Sequence, residues 1–244
     1  PSTGERLYTL ETSRGIVRHG RVTSRFDATS DLERIATVDP ESVTLWDGTT
    51  GVPVTRIAES RVQLIDFSPD GTVLLTASSR GVIRTWDSRS GEPLVNFAGY
   101  STPLRLATFS PDGRVLVAAT ASDRDRGAVW DTETGRLLGT FPSGMLAAAF
   151  IEGSRTVAAL ITGGFLVTLD IQTGASQAVR LPQSLGNDAI AGFSPDGASL
   201  VTAKDREFRI WDVPTGRLRA EPVARSWAEI EFRSGSRFTT DGRG

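Results

Sequence analysis

The sequence contains no cysteine. Disulfide cross-links, thiolate nucleophiles and cysteine-ligated metals are excluded, and packing alone must stabilise the fold. A single histidine, His19, rules out any metal site built on two imidazoles. Lys204 is the only lysine among 27 basic residues, an arginine bias that suggests a GC-rich bacterial genome rather than special chemistry. Against those stand 29 acidic residues, leaving a net charge of −2. With so little bulk field, neither nucleic acid nor a membrane surface is expected as a partner. No apolar run reaches the roughly 18 residues that a spanning helix requires. The chain of 244 residues opens on Pro1 rather than Met. It therefore reads as a segment of a larger protein, with any targeting signal outside it and the cytoplasm as the expected compartment.

What the chain does contain is a repeat. Phe-Ser-Pro-Asp-Gly occurs at 67–71, 109–113 and 193–197. Phenylalanines at 26, 67, 109, 150, 193 and 232 extend the series with a period of about 40 residues. A second series, Trp46, Trp86, Trp130, Leu169 and Trp211, keeps the same period, each member followed by Asp and then by Gly at 51, 91, 135, 174 and 216. A unit of this length cannot bury its apolar faces alone and must stack on its own copies.

The second repeat shows what one unit is. Val62–Phe67 is a short apolar-rich strand ended by Ser68-Pro69-Asp70-Gly71, in which Pro presets the first corner and Gly accepts the left-handed exit. Residues 72–77 are apolar in succession, as in a strand covered on both faces. Residues 82–86 alternate, Asp87 and Gly91 supply the next turn, and residues 92–97 form the most polar strand, suited to an edge. Four antiparallel strands in about 40 residues make one propeller blade, so the predicted fold class is an all-β propeller.

The Phe-Ser-Pro-Asp-Gly turn, the pairs Trp46-Asp47, Trp86-Asp87, Trp130-Asp131 and Trp211-Asp212, and the Thr-Gly or Ser-Gly that follows resemble the WD-repeat family over essentially the whole chain. The resemblance implies one propeller segment over 1–244, with full blades at about 16–57, 62–97, 103–141, 145–181 and 188–223, an outer strand in 1–10 and a partial blade in 227–244. Seven blades are expected in the parent protein, with six as the alternative. In the family a Gly-His pair and an Asp buttress the tryptophan. Here Gly99-Tyr100 and the reversed His19-Gly20 stand in for the first, and only Asp205 and Asp241 match the second, so the internal hydrogen-bond network is expected to be mostly missing. Leu169 and the altered turn at 151–154 mark the fourth repeat as the least rigid.

Candidate chemistry is sparse. The four Trp-Asp pairs are structural, the indoles filling space between blades. Ser68, Ser110 and Ser194 are turn residues beyond reach of a shared histidine, which disfavours a serine hydrolase. Asp123-Arg124-Asp125-Arg126 alternates carboxylates with arginines that oppose a bound cation. No catalytic residue, metal or cofactor is assigned. In a propeller, the turns between second and third strands share a rim with the loops between blades. That rim gathers Asp39, Glu41, Glu59, Arg61, Arg80, Tyr100, Asp123, Arg124, Asp125, Arg126, Asn187, Lys204, Arg206 and Trp227. Within it Arg61, Arg80, Tyr100, Arg124, Arg126, Lys204, Arg206 and Trp227 are the candidate partner-binding residues, since arginines and aromatics anchor interfaces. The expected function is a protein- or peptide-binding scaffold or sensor propeller, with any catalysis in another domain of the parent. The rival is a propeller enzyme or small-ligand binder with its site at the channel mouth.

Overall fold

The computed structural model describes residues 26–97, 100–120, 122, 124–151, 155–182, 185, 190–194, 196–204 and 207–220. Among these there is no helix, and the strands form five separate four-stranded antiparallel sheets. The first sheet holds β1 (Phe26–Ala28), β2 (Arg34–Asp39), β3 (Ser42–Asp47) and β4 (Pro53–Ile57). The second holds β5 (Val62–Phe67), β6 (Val73–Ser78), β7 (Ile83–Asp87) and β8 (Pro93–Phe97). The third comprises β9 (Leu104–Phe109), β10 (Val115–Thr120), β11 (Arg126–Asp131) and β12 (Leu137–Ser143). The fourth comprises β13 (Met145–Ile151), β14 (Thr156–Ile161), β15 (Phe165–Asp170) and β16 (Ser176–Arg180). The fifth comprises β17 (Ile190–Phe193), β18 (Ser199–Lys204), β19 (Glu207–Asp212) and β20 (Arg217–Ala220). Each sheet is a meander in chain order, the construction of a propeller blade.

The chain divides into two compact units, Pro1–Pro103 with the first two sheets and Leu104–Gly244 with the other three. In the first unit, Ala36, Val43, Leu45 and Ile57 of the first sheet pack in one cluster with Ile65, Phe67, Leu74 and Trp86 of the second. In the second unit Trp211 packs with Ala158, Leu160 and Leu166 of the preceding sheet. The second strands are the most deeply buried, with every residue of β10 inside, as their unbroken apolar runs predict. The outer strands β16 and β20 are exposed along their whole length. In the fourth sheet, Val157–Ile161 are all buried, and Leu169 is buried where the other sheets carry tryptophan.

The register corrects the phase of the first repeat. In the second sheet Phe67 faces Leu74, which faces Trp86. In the first, the residue facing Ile35, and through it Trp46, is Ala28. Phe26 lies two residues outside that place and is 69% exposed. The turn is conserved in its hydrogen bonds instead. Thr29 Oγ1 donates to Asp31 at 2.5 Å and accepts the Arg34 amide at 3.0 Å, as Ser68 does with Asp70 and Val73 at 2.6 and 2.9 Å. Leu32 thereby takes the place of Gly71, at φ 60 against 72. A side chain in the left-handed region costs about 1–2 kcal/mol, and Leu32 is too exposed to recover that by packing. Leu32→Gly should therefore stabilise the chain by about 0.5–1 kcal/mol after glycine's own entropic cost. Denaturant titration checks this, and a loss of stability would show that the leucine makes a contact of its own.

The tryptophans also keep a partner that the motif did not reveal. The indole N–H of Trp46 donates to Thr37, that of Trp86 to Thr76 and that of Trp211 to Thr202, at 2.8, 2.9 and 2.9 Å. These bonds to threonine are distinct from the expected histidine and aspartate buttress and occur in three sheets. In the third and fourth sheets the matching second-strand residues, by register, are Ala118 and Ala159. His19, Asp205 and Asp241 lie outside the described residues, as do strand 1–10 and the partial blade 227–244.

Candidate functional site

Because consecutive strands are antiparallel, each turn between second and third strands lies at the same end of its sheet as the links to neighbouring sheets. The opposite end carries the Ser-Pro-Asp-Gly and Trp-Asp turns. There Asp47, Asp87, Asp131, Asp170 and Asp212 each accept hydrogen bonds from the residue three further on. The amides of Thr50, Ser90 and Thr173 are the main cause that holds the Asp47, Asp87 and Asp170 carboxyls below the ordinary range, and for Asp170 the value falls to about 2. The hydroxyls of Thr134 and Thr215 do the same for Asp131 and Asp212. This end is built of satisfied turns.

The other end differs. In the first unit, three of the predicted partner residues are brought together by backbone hydrogen bonds between loops. The Arg61 amide donates to Pro40 O in the β2–β3 turn at 3.2 Å, and Arg61 O accepts the Ser79 amide at 2.9 Å. Ser79-Arg80-Gly81 is the β6–β7 turn, and Gly81 O accepts the Tyr100 amide at 3.0 Å. Arg61 and Arg80 are exposed and Tyr100 is half-buried. Among the described residues, neither guanidinium has a carboxylate within salt-bridge distance, whereas Arg34, Arg84, Arg155 and Arg219 each have one. Glu59, placed on the same rim from its position in the loop, is only 6% exposed and pairs with Arg84 Nη1 of β7. It is held inside rather than presented to a partner.

In the second unit, Arg124 and Arg126 are exposed, with Asp125 between them accepting a hydrogen bond from Thr120 Oγ1 at 3.2 Å. Arg126 pairs in register with Ser143, and Gly144 O next to it accepts the Thr162 amide at 2.8 Å. At the same end Phe165 is 40% exposed, with the Arg180 guanidinium 5.7 Å from its ring centre. Phe165 was missed by the sequence reading, although an aromatic directly after Gly163-Gly164 marks a turn flank. Lys204 is placed by its backbone alone, opposite Glu207. Arg206 and Trp227, like Asp123 and Asn187, lie outside the described residues. Among the described residues, no three His, Cys, Asp or Glu side chains converge where a metal ion could be held.

Comparison with known proteins agrees with this architecture. Over 108 residues, 43% of this chain, the sequence is 30% identical to the serine-threonine kinase receptor-associated protein of Dictyostelium discoideum. The match covers 35% of that protein, so this chain accounts for about a third of its relative's length. Residues 41–87, spanning β3 to β7, and residues 187–212, spanning β17 to β19, are similar to the family described as WD domain, G-beta repeat.

Proposed function

We propose that this chain is a WD-repeat protein-interaction module, a scaffold that holds a partner protein on the rim of its sheets and performs no reaction itself. The observation that carries the reading is the rim of the first unit, where loops from different sheets are tied by backbone hydrogen bonds and display Arg61 and Arg80 with no carboxylate partner among the described residues. Loops on a rigid scaffold are where binding residues concentrate, and arginine is among the residues that anchor protein interfaces. The similarity to WD repeats and to a receptor-associated protein supports the same reading. Satisfied turns at the other end give a partner less to hold, since their carboxylates are already engaged by neighbouring amides and hydroxyls.

The test is quantitative capture by the immobilised chain from a lysate of its source organism. Arg61→Glu with Arg80→Glu should lose at least one protein that the parent sequence retains, because reversing exposed charges weakens association far more than folding. Arg89→Glu, in the Asp87 turn at the other end, should retain it. Identical retention by all three would remove the first unit's rim as the platform. Retention no greater than that of the heat-unfolded chain would remove the interaction reading itself.

A further inference from the structure

The rim of the first unit also carries information about the chemistry of its partner. Arg61 adopts φ 59, in the left-handed region that disfavours a side chain. Its place in the fold is defined by hydrogen bonding, since Arg61 O accepts the amide of Ser79, the first residue of the β6–β7 turn. The same place in the second unit is where Gly144 O accepts the Thr162 amide, and there the chain uses glycine at φ 79. Glycine would satisfy this backbone without strain, so the fold alone does not explain an arginine at 61. Strained residues of this kind persist where they serve a site.

The charges around it are largely accounted for. Glu59 is buried and engaged by Arg84. Asp39 has an interaction of its own. Arg56, near the end of β4, donates from Nε to Ser42 Oγ at 2.7 Å. Among the described residues at this end of the unit, that leaves Glu41, exposed in the β2–β3 turn, against the guanidiniums of Arg61 and Arg80. Arg80 extends from the turn whose first amide bonds to Arg61 O, so the two cationic side chains leave adjacent, directly bonded loops. A guanidinium presents a planar fork of donors that matches a carboxylate bidentately. Two such forks side by side suit carboxylates at alternate positions of an extended chain, which share a face.

Resting on the interaction reading above, we infer that the Arg61–Arg80 rim of the first unit receives an acidic stretch of its protein partner, with the two guanidiniums holding its carboxylates. The partner is recognised there by glutamate or aspartate side chains close together in sequence. Arg61 retains its strained conformation because glycine, the residue that suits the backbone, cannot supply the charge.

The probe is a fluorescein-labelled hexaglutamate peptide, titrated by fluorescence anisotropy with the full 244-residue chain. Hexaglutamate should bind, hexaglutamine should not, and affinity should fall as salt rises through the physiological range. Arg61→Glu with Arg80→Glu should weaken binding by about tenfold or more. Should that variant fail to fold, Arg61→Gln with Arg80→Gln serves in its place. Arg61→Gly separates the two roles of the residue: it should raise the melting temperature and still weaken the peptide several-fold, by roughly the contribution of one charge-assisted contact. A lower melting temperature in Arg61→Gly would make Arg61 a structural residue and overturn the inference, as would hexaglutamate binding that ignores both arginines. A phosphoserine peptide that bound more than tenfold tighter than hexaglutamate would overturn the carboxylate assignment. Lysate capture that depends on Arg61 and Arg80 without any hexaglutamate binding would sink this inference alone. Hexaglutamate binding without capture would count against the scaffold reading and leave the acidic site standing.

Discussion

Trp211→Ala is expected to destabilise the chain by about 3–5 kcal/mol, the usual cost of deleting a large buried ring whose cavity closes only in part. Trp211 is 1% exposed and packs in one cluster with Ala158, Leu160 and Leu166 of the fourth sheet and Leu200 of its own. Its indole N–H also has a buried acceptor in Thr202 at 2.9 Å. Trp46 holds the matching place in the first sheet and keeps the matching bond to Thr37, but it is only half-buried. Trp46→Ala should therefore cost less, about 1–2 kcal/mol on the area that it removes from water. Urea titration of both variants separates the contributions. Equal losses would mean that the hydrogen bond to threonine, common to both, dominates over the deeper packing of Trp211. Thr202→Val is the control, since it leaves a buried N–H without this acceptor at a cost of about 1–3 kcal/mol while keeping the ring in place.

The tryptophan pairs also show how far the sequence could be read. The Trp-Asp turn was legible because its chemistry is local: an Asp accepts the amide three residues on, and a glycine closes the turn, in each of five repeats. The threonine acceptors were not legible in the same way. Thr37, Thr76 and Thr202 sit on the preceding strand, nine or ten residues earlier, and only the pairing register puts them beneath the indole. The first repeat failed for a related reason. Phe26 was the visible landmark, yet what the fold preserves is a hydroxyl two residues before an Asp, present as Thr29 and Asp31. Hydrogen-bond geometry tolerated the loss of Phe, Pro and Gly, while alignment on the most conspicuous side chain shifted the phase by two. At the rim, topology was enough to place Arg61, Arg80 and Tyr100 in adjoining loops of one unit. Which charges remain available was not readable, because burial of Glu59 against Arg84 depends on a strand of the next sheet.

Acid should be the strongest solvent lever on this fold. Asp47, Asp87, Asp131, Asp170 and Asp212 at one kind of turn, and Asp31 and Asp196 at the other, all have carboxyls held below the ordinary value of 3.8. The main cause in each case is a hydrogen bond from a nearby amide or hydroxyl. Asp70 ends below that value as well, although burial pushes it up, because Ser68 and Thr72 donate to it. When the folded value lies below the unfolded one, the unfolded chain binds more protons throughout the interval between them, so stability rises with pH across it. The contribution is complete above about pH 5 and is lost as pH falls through the folded values, which for Asp170 means down to about 2. The melting temperature should therefore be level from neutral pH to about 5 and fall steeply between about 4 and 2. The exposed setting of these turns makes each share modest, but the repeat multiplies it. Since hydrogen bonds rather than ion pairs do most to lower these carboxyls, added salt should leave the position of the fall nearly unchanged. Asp170→Asn should shift its acid end upward in pH, because a group held down to about 2 no longer titrates. A melting temperature level down to pH 2.5, or a transition that moves strongly with salt, would show that the turn carboxylates do not supply this stability.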